Sequence, residues 1–164
     1  RKRGLHSKPF DAEGIANSKR SIVKDGVLTT WLLDLASAKQ LGLETTGHAG
    51  RGTSGPPSPG PSNLYLTPGT LSPAELMADI EAGLYITSLM GMGVNGVTGD
   101  YSRGASGFWI ENGEITFPVT ELTIAGNLNQ MFAGMSRAND LAFRFGTNSP
   151  TVRIDGLIVA GGGE

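Results

Sequence analysis

Residues 108–117, Phe108-Trp-Ile-Glu-Asn-Gly-Glu-Ile-Thr-Phe117, decide the fold of this 164-residue chain. Aromatic and β-branched side chains, which favour strands, lie on both sides of the Asn112-Gly113 pair. A two-residue hairpin turn needs positive φ angles at both positions, and asparagine and glycine tolerate these angles best. The stretch therefore predicts two antiparallel strands, 108–111 and 114–117, joined by a turn at Asn112 and Gly113.

The same pattern occurs twice more along the chain. Asp25-Gly26 separates the apolar runs 21–24 and 27–33, and Asp155-Gly156 separates the runs 151–154 and 157–160. Both predict further hairpins. Pro118 marks a sheet edge or the end of a strand, because proline cannot donate a hydrogen bond to a neighbouring strand.

Capping residues predict short helices between these hairpins. Asp34 is a candidate N-cap for residues 34–41, with Gly42 after the last turn. Ser72-Pro73-Ala-Glu75 has the pattern of a capping box and opens a helix that we expect to stop at Gly83. Apolar residues at helical spacing also lie in 127–138. Further strands are predicted at 64–69, 84–90 and 141–145, and 121–125 is either a strand or the approach to a helix.

These elements predict the α+β class: an antiparallel-rich, curved sheet built from hairpins, with two or three short helices. Residues 1–164 are expected to form a single domain. Residues 50–62, rich in glycine and proline, are expected to form a long or disordered loop. An interdomain linker is the alternative, but the residues before it are too few for a stable separate domain.

Composition excludes several classes of function. The net charge is −2, which argues against a nucleic-acid surface. The chain has no cysteine, so it offers no thiolate nucleophile or metal ligand, and it is compatible with a reducing compartment. Its two histidines, His6 and His48, are too far apart for a local His-x-x-x-His metal site. No apolar run is long enough to span a membrane.

Residues 91–96, Gly-Met-Gly-Val-Asn-Gly, match the dinucleotide-binding pattern GxGxxG. The pattern requires a helix directly after it, whose amide groups face the phosphates. The following residues contain further glycines and no helical period. Two interpretations remain: glycines required by the backbone itself, or a glycine-lined groove against which another peptide's backbone lies.

Two polar side chains are the remaining candidates for binding. Arg103 lies between glycines and could pair with the carboxylate of a bound peptide. The alternative is an internal ion pair with Asp100, Glu111 or Glu114. His48 begins the Gly/Pro-rich loop, and a solvated or backbone-bonded histidine is the alternative there.

Several strings resemble the TldD/PmbA family, and they follow one another along nearly the whole chain. They include SKPFDAEG (7–14), KDGVLTTWLL (24–33), TGHAG (46–50), NLYLTPG (63–69), GVNGVTGDYSRGASG (93–107), VTELTIAGNL (119–128) and PTVRIDGLIV (150–159). The resemblance implies the C-terminal portion of a C-terminal domain in a much longer protein. The family, also known as modulators of DNA gyrase, contains zinc metallopeptidase subunits and related partner subunits that pair and degrade unfolded peptides.

In the catalytic branch of that family, an upstream His-Glu-x-x-x-His helix and a cysteine near the C-terminus hold zinc. Residues 143–149 contain no cysteine, so the chain resembles the PmbA (TldE) branch, which lacks the metal ligands. The resemblance therefore implies no catalytic residue, metal ligand or cofactor in this chain, with zinc held by a partner subunit. It also implies a cytoplasmic protein that pairs with a TldD-like subunit or with itself. The lack of a long apolar run and the net charge, for their part, predict no membrane partner and argue against nucleic acid.

We therefore expect this chain to bind unfolded peptide substrate and to take part in subunit pairing. The candidate peptide-binding residues are His48, Gly93, Gly96, Gly99, Arg103, Gly104 and Gly107. One alternative is an active metallopeptidase whose zinc motif lies upstream of these residues. A second is a modulator of DNA gyrase with no peptidase role.

Overall fold

The computed structural model describes residues 3–161, which fall into two compact units. The first unit runs to Leu66 and includes Phe143–Asn148. The second comprises Thr67–Ala142 and continues from Ser149. The expectation of a single domain stays a prediction.

Short helices and antiparallel strands make up the described residues, which confirms the α+β class. The helices are α1 (Leu35–Leu41), α2 (Pro73–Met77) and α3 (Leu128–Ala133). The strands are β1 (Val23–Lys24), β2 (Val27–Leu28), β3 (Ala49–Gly50), β4 (Ser58–Pro59), β5 (Leu64–Tyr65), β6 (Ala82–Met90), β7 (Asp100–Glu111), β8 (Glu114–Asn127), β9 (Ser136–Arg137), β10 (Thr147–Asn148), β11 (Val152–Arg153) and β12 (Ile158–Gly161).

The predicted central hairpin is the main element of the second unit. β7 and β8 pair antiparallel around a turn in which Asn112 and Gly113 have φ angles of 50° and 82°. Both angles are positive, as a twisted two-residue turn requires. The strands extend well beyond the predicted ends, and Pro118 lies inside β8, in the part that β12 does not pair.

This hairpin organises a four-stranded antiparallel sheet in the order β12-β8-β7-β6. Ala105 and Ile110 on β7 and Ile124 on β8 are buried, each at most 3% exposed. Since these side chains lie on the paired central strands, the core of the second unit depends on the β7–β8 register.

Backbone hydrogen bonds clamp the hairpin turn. The Asn112 N–H donates to Glu81 O (3.0 Å) and the Gly113 N–H donates to Ile80 O (2.8 Å). These bonds also explain why α2 ends at Met77 and not at the predicted stop, Gly83. The carbonyl groups of Ile80 and Glu81 bond to the turn, and Gly83 lies in β6.

The predicted helix starts are confirmed. The Asp34 side chain accepts from Ser37 N (2.7 Å), and Gly42 closes α1 with a φ of 67°. Ser72 and Glu75 form the capping box of α2. The pKa of Glu75 is lowered because the backbone and hydroxyl of Ser72 donate to its carboxylate. α3 is shorter than the apolar spacing over 127–138 indicates, because Gly134 ends it and β9 follows.

The third predicted hairpin is wrong. β11 pairs with β9 and β12 pairs with β8, so the residues around Asp155-Gly156 do not pair with each other. Gly156 has a positive φ of 77° and Asp155 does not, so the two-residue hairpin turn is not formed. The Asp155 carboxylate instead accepts a hydrogen bond from Arg153 Nε (2.9 Å).

The strand predicted at 141–145 is also wrong. The Asn148 side chain accepts hydrogen bonds from the backbone N–H groups of Arg144 (2.8 Å) and Phe145 (2.9 Å). These bonds fold the segment into a turn before the short strand β10. A polar side chain competing for backbone donors is a known way in which asparagine disrupts a strand.

The first unit is held by short pairings. β1 and β2 form the predicted Asp25-Gly26 hairpin, and β3 pairs antiparallel with β4, which lies within the Gly/Pro-rich 50–62 segment. β5 pairs in parallel with β10. Among residues 3–161, no helix is long and apolar enough to cross a membrane.

Gly113 and Gly26 occupy the same position of two hairpin turns and provide a matched pair of substitutions. Both have positive φ, but a Cβ at Gly113 would lie 2.8 Å from Ala78 O, whereas a Cβ at Gly26 meets nothing within 4 Å. We expect Gly26→Ala to lower the free energy of unfolding by about 1 kcal/mol. Gly113→Ala should lower it by about 2–3 kcal/mol, because the methyl group also displaces backbone. Urea denaturation followed by circular dichroism measures both changes. Equal losses of unfolding free energy would contradict the close packing of the Gly113 turn against the backbone at Ala78.

Candidate functional site

His48 lies in the first unit, in a fixed orientation set by Thr46. Its Nδ1 lies 2.7 Å from Thr46 O and 3.1 Å from Thr46 Oγ1. A carbonyl oxygen can only accept, so Nδ1 carries the proton. In the neutral ring, Nε2 is therefore the acceptor. The His48 side chain is half-buried and can offer this nitrogen to a hydrogen-bond donor or a cation.

Buried Thr46 is itself fixed by the backbone of Leu33. Its Oγ1 accepts from Leu33 N (2.7 Å) and donates to Leu33 O (3.1 Å). The hydroxyl thus satisfies both polar groups of a buried residue just before α1. His48 is consequently positioned through Thr46 by the segment that leads into α1.

The carboxylate of Asp11 anchors the other side of this segment. Asp11 is 3% exposed and accepts from the N–H groups of Glu13, Ile15 and Ala49, each at 2.9 Å. Burial alone raises the pKa of this carboxyl, but the hydrogen bonds from Ala49, Ile15 and Glu13 outweigh it and lower the pKa. The residue next to His48 is therefore tied to the N-terminal loop.

The structural role of Asp11 was not predicted from the sequence. One signal for it exists: an aspartate three residues before a glycine often starts a loop in which the carboxylate bonds nearby amides. Gly14 has a φ of 80°, and its N–H donates to Asp11 O. The contact with Ala49 had no sequence signal, since it joins residues far apart in the chain.

His6 does not lie in a catalytic arrangement with Ser7 and Asp11. Its Nδ1 is 3.1 Å from Ser62 O, and its backbone N–H donates to Asn63 Oδ1. Because the oxygens of Asp11 accept from backbone amides, the carboxylate does not orient His6. This geometry supports no serine hydrolase chemistry.

The glycines predicted to line a groove lie in the second unit and have different structural reasons. A Cβ at Gly93 would collide with Ser102 O, and one at Gly107 would collide with Tyr85 O. The chain's own backbone fills the space beside these two positions. Gly99 has a positive φ of 80°, a Cβ at Gly104 would make only ordinary contacts, and the space beside Gly96 is open. Peptide contact at these five glycines stays a prediction.

The loop 91–99 is folded in a way that excludes a phosphate cradle. Asn95 Oδ1 accepts from the N–H groups of Val97 (2.9 Å) and Thr98 (3.2 Å). β7 follows this loop, so no helix begins at the GxGxxG pattern. The N–H groups of Asn95 and Gly99 are likewise bonded within the chain, to Asp100 O and Asn95 O, so they are not free to face a pyrophosphate.

Arg103 does not form the internal ion pair with Asp100, Glu111 or Glu114 that was the alternative to peptide binding. Both ion pairs in residues 3–161 involve Arg153, which contacts Asp79 and Asp155, and the pKa of Arg153 is raised by these partners. Asp100 instead accepts from Thr98 Oγ1 (2.6 Å). Within residues 3–161, Arg103 makes one long hydrogen bond, from Nη2 to Leu89 O at 3.4 Å, and its buried Nε has no acceptor.

The described residues do not fit a zinc ion. No three histidine, aspartate or glutamate side chains within residues 3–161 are placed to share a metal, and the sequence has no cysteine. A hydrolytic zinc site needs at least three protein ligands. No catalytic step through a metal follows from this part of the chain.

Comparison with known sequences gives matches over nearly the whole chain. Residues 1–161 match the family described as "PmbA/TldA metallopeptidase C-terminal domain". The chain is 45% identical over 160 residues to metalloprotease PmbA of Escherichia coli O157:H7, covering 97% of this chain and 34% of that protein. It is 44% identical over 161 residues to a PmbA homologue of Haemophilus influenzae, with the same coverage of 97% and 34%.

Solved structures share the fold. A proposed modulator of DNA gyrase from Thermotoga maritima superposes with a TM-score of 0.82 at 38% identity, covering 96% of this chain and 36% of that one. TldE from Thermococcus kodakarensis gives a TM-score of 0.84 at 24% identity, with 94% and 36% covered. The latter is evidence for the fold alone. The chain thus spans about a third of the length of the proteins that it matches.

The hydrogen bonds that the Asp11 carboxylate accepts predict that the free energy of unfolding depends on pH. Asp11→Asn keeps the shape but removes the charge and one acceptor oxygen, so we expect a loss of about 1–3 kcal/mol at pH 7. Because the folded-state pKa of Asp11 is lowered, its contribution is present above the unfolded pKa of about 3.9 and is lost as pH falls below it. Urea denaturation at pH 7 and pH 3 should show the two proteins converging at low pH. An unchanged difference at pH 3 would contradict the role of the charge.

Proposed function

This chain belongs to the PmbA/TldD metallopeptidase family, as its C-terminal domain, and on that premise we propose that it binds unfolded peptide and pairs with a zinc-bearing subunit. In this proposal, residues 3–161 contribute no metal site of their own. The proposal applies to a cytoplasmic assembly in which the chemistry of peptide hydrolysis occurs on the partner. The described residues supply a binding surface and part of the subunit interface.

The free edge of β6 is the observation that carries peptide binding. β6 is the last strand of the four-stranded sheet and has no strand on its outer side among the described residues. Its final four residues, 87–90, are exposed. An open edge presents unpaired N–H and C=O groups, to which an extended peptide can add as a further strand. Such binding uses the peptide backbone, so it suits substrates of varied sequence.

Exposed apolar side chains on the first hairpin support subunit pairing. Val23 and Leu28 lie opposite each other in the β1–β2 register, and both are exposed. Val27 and Trp31 add exposed apolar surface at 64% and 59% exposure. Large exposed apolar groups are typical of surfaces that another protein covers. We name this set, Val23, Val27, Leu28 and Trp31, the hairpin patch.

Peptide binding by strand addition can be tested with backbone-modified peptides. We expect the full-length protein to bind a fluorescein-labelled, unfolded peptide, and to bind its analogue N-methylated at alternate residues at least about tenfold more weakly. The methyl groups remove N–H donors without changing side chains. Fluorescence anisotropy measures both affinities. Equal affinities would contradict strand addition, and no binding of either peptide would overturn peptide binding itself.

Subunit pairing can be tested with variants of the hairpin patch. We expect Val27→Ser/Trp31→Ser to weaken the complex between the full-length protein and a TldD-like subunit about tenfold or more, because apolar contact area is lost. Leu5→Ser, at a residue that is 72% exposed outside the patch, is the matched control and should pair normally. Size-exclusion chromatography with light scattering measures pairing.

Elemental analysis of the same samples tests the assignment of zinc. We expect zinc in the TldD-like subunit and in the complex, and only traces in this protein alone. Stoichiometric zinc in the isolated full-length protein would favour the alternative, an active metallopeptidase with an upstream zinc motif.

In the pairing experiment, normal pairing of the Val27→Ser/Trp31→Ser variant would show that the hairpin patch is not part of the interface.

A further inference from the structure

We propose that Arg103 binds the C-terminal carboxylate of a peptide that ends in an apolar residue, at the end of the free β6 edge. This inference rests on the proposed peptide binding and adds to it a substrate class. In this arrangement the C-terminal carboxylate of the peptide binds the Arg103 guanidinium. The apolar side chain of the last peptide residue contacts the loop 91–99.

The hydrogen bonding of Arg103 is incomplete. The second unit has three arginines and no lysine. Arg153 donates to two carboxylates, and Arg137 donates to the carbonyl and hydroxyl of Thr67. Among the residues that the structure describes, Arg103 has only the 3.4 Å bond to Leu89 O, and no acceptor there satisfies its buried Nε. A half-buried guanidinium without a counter-ion is stabilised when a carboxylate binds to it.

The Arg103 guanidinium lies near the place where a peptide strand added to the free edge of β6 would end. The Arg103 side chain extends from β7 towards β6, where its Nη2 contacts the carbonyl of Leu89. Leu89 and Met90 are the last residues of β6. A peptide lying parallel to β6 on its free edge would therefore finish beside Arg103, with its terminal carboxylate closest to the guanidinium.

The loop that follows β6 supplies apolar surface at the same place. Met92 is 100% exposed and Val97 is 95% exposed, and Met90 and Val94 are also exposed. The Ser102 N–H donates to Gly93 O (2.7 Å), so the loop lies directly against the residue before Arg103. Flexible methionine side chains adapt to apolar partners of different shapes.

The charge of the second unit favours a single carboxylate over an acidic segment. Acidic residues clearly outnumber the three arginines there, so a peptide with many carboxylates would be repelled. A chain terminus carries one carboxylate next to an uncharged backbone. An apolar C-terminal residue is therefore the group that matches both the isolated cation and the apolar loop.

The test compares three fluorescein-labelled peptides of the same uncharged, apolar-ended sequence on the full-length protein. One has a free C-terminus, one is amidated, and one is amidated with an internal aspartate. We expect the free acid to bind roughly tenfold or more tightly than either amide, as a charge-assisted hydrogen bond provides. Arg103→Gln should remove this preference, Arg103→Lys should keep part of it, and Arg137→Gln should keep it in full.

Each outcome decides a separate point. If free and amidated peptides bind equally, the inference about Arg103 is overturned while peptide binding stands. If the amidated peptide with an internal aspartate binds as tightly as the free acid, the inference that the carboxylate must be C-terminal is overturned. If none of the three peptides binds, the proposed function fails as well. Should Arg103→Gln fail to fold by circular dichroism, the preference of the wild type and of Arg103→Lys decides the question.

Discussion

The left-handed turn at Asn112 and Gly113 is the constraint on which the second unit depends. It fixes which residues of β7 and β8 face each other, and so sets the positions of the buried residues Ala105, Ile110 and Ile124. Through its amides it also holds the carbonyl groups of Ile80 and Glu81, where α2 gives way to β6. A shift of one residue in this pairing would move the side chains of the shifted strand to the opposite face of the sheet.

The first unit depends on polar anchors more than on an apolar core. Asp11 and Thr46 are buried, and each satisfies several backbone groups of segments that have no regular structure. Such loops cannot satisfy their own amides as a helix does, so a buried carboxylate or hydroxyl takes that role. The same bonds set the orientation of His48. The bonds that anchor these loops therefore also orient the His48 ring.

Local chemistry made much of this fold predictable. The Asn112-Gly113 and Asp25-Gly26 turns and the caps at Asp34 and Ser72 each depend on neighbouring residues, and each is confirmed. The failures depend on distant partners. Asp155-Gly156 has the same turn pattern, yet β11 and β12 pair with β9 and β8. For the candidate site, residue type indicated Arg103 and His48, but the lack of an ion pair at Arg103 and the Asp11 anchor required the tertiary structure.

The parallel pairing of β5 with β10 has a consequence for biosynthesis. Leu64 and Tyr65 pair with Thr147 and Asn148, and the larger part of the second unit, Thr67–Ala142, lies between them in the sequence. The ribosome must therefore translate the whole stretch between β5 and β10 before β10 emerges and can complete the first unit. Contacts of such high sequence separation form slowly. Until then β5 lacks its partner strand, and unpaired strand edges make an incompletely folded chain prone to association.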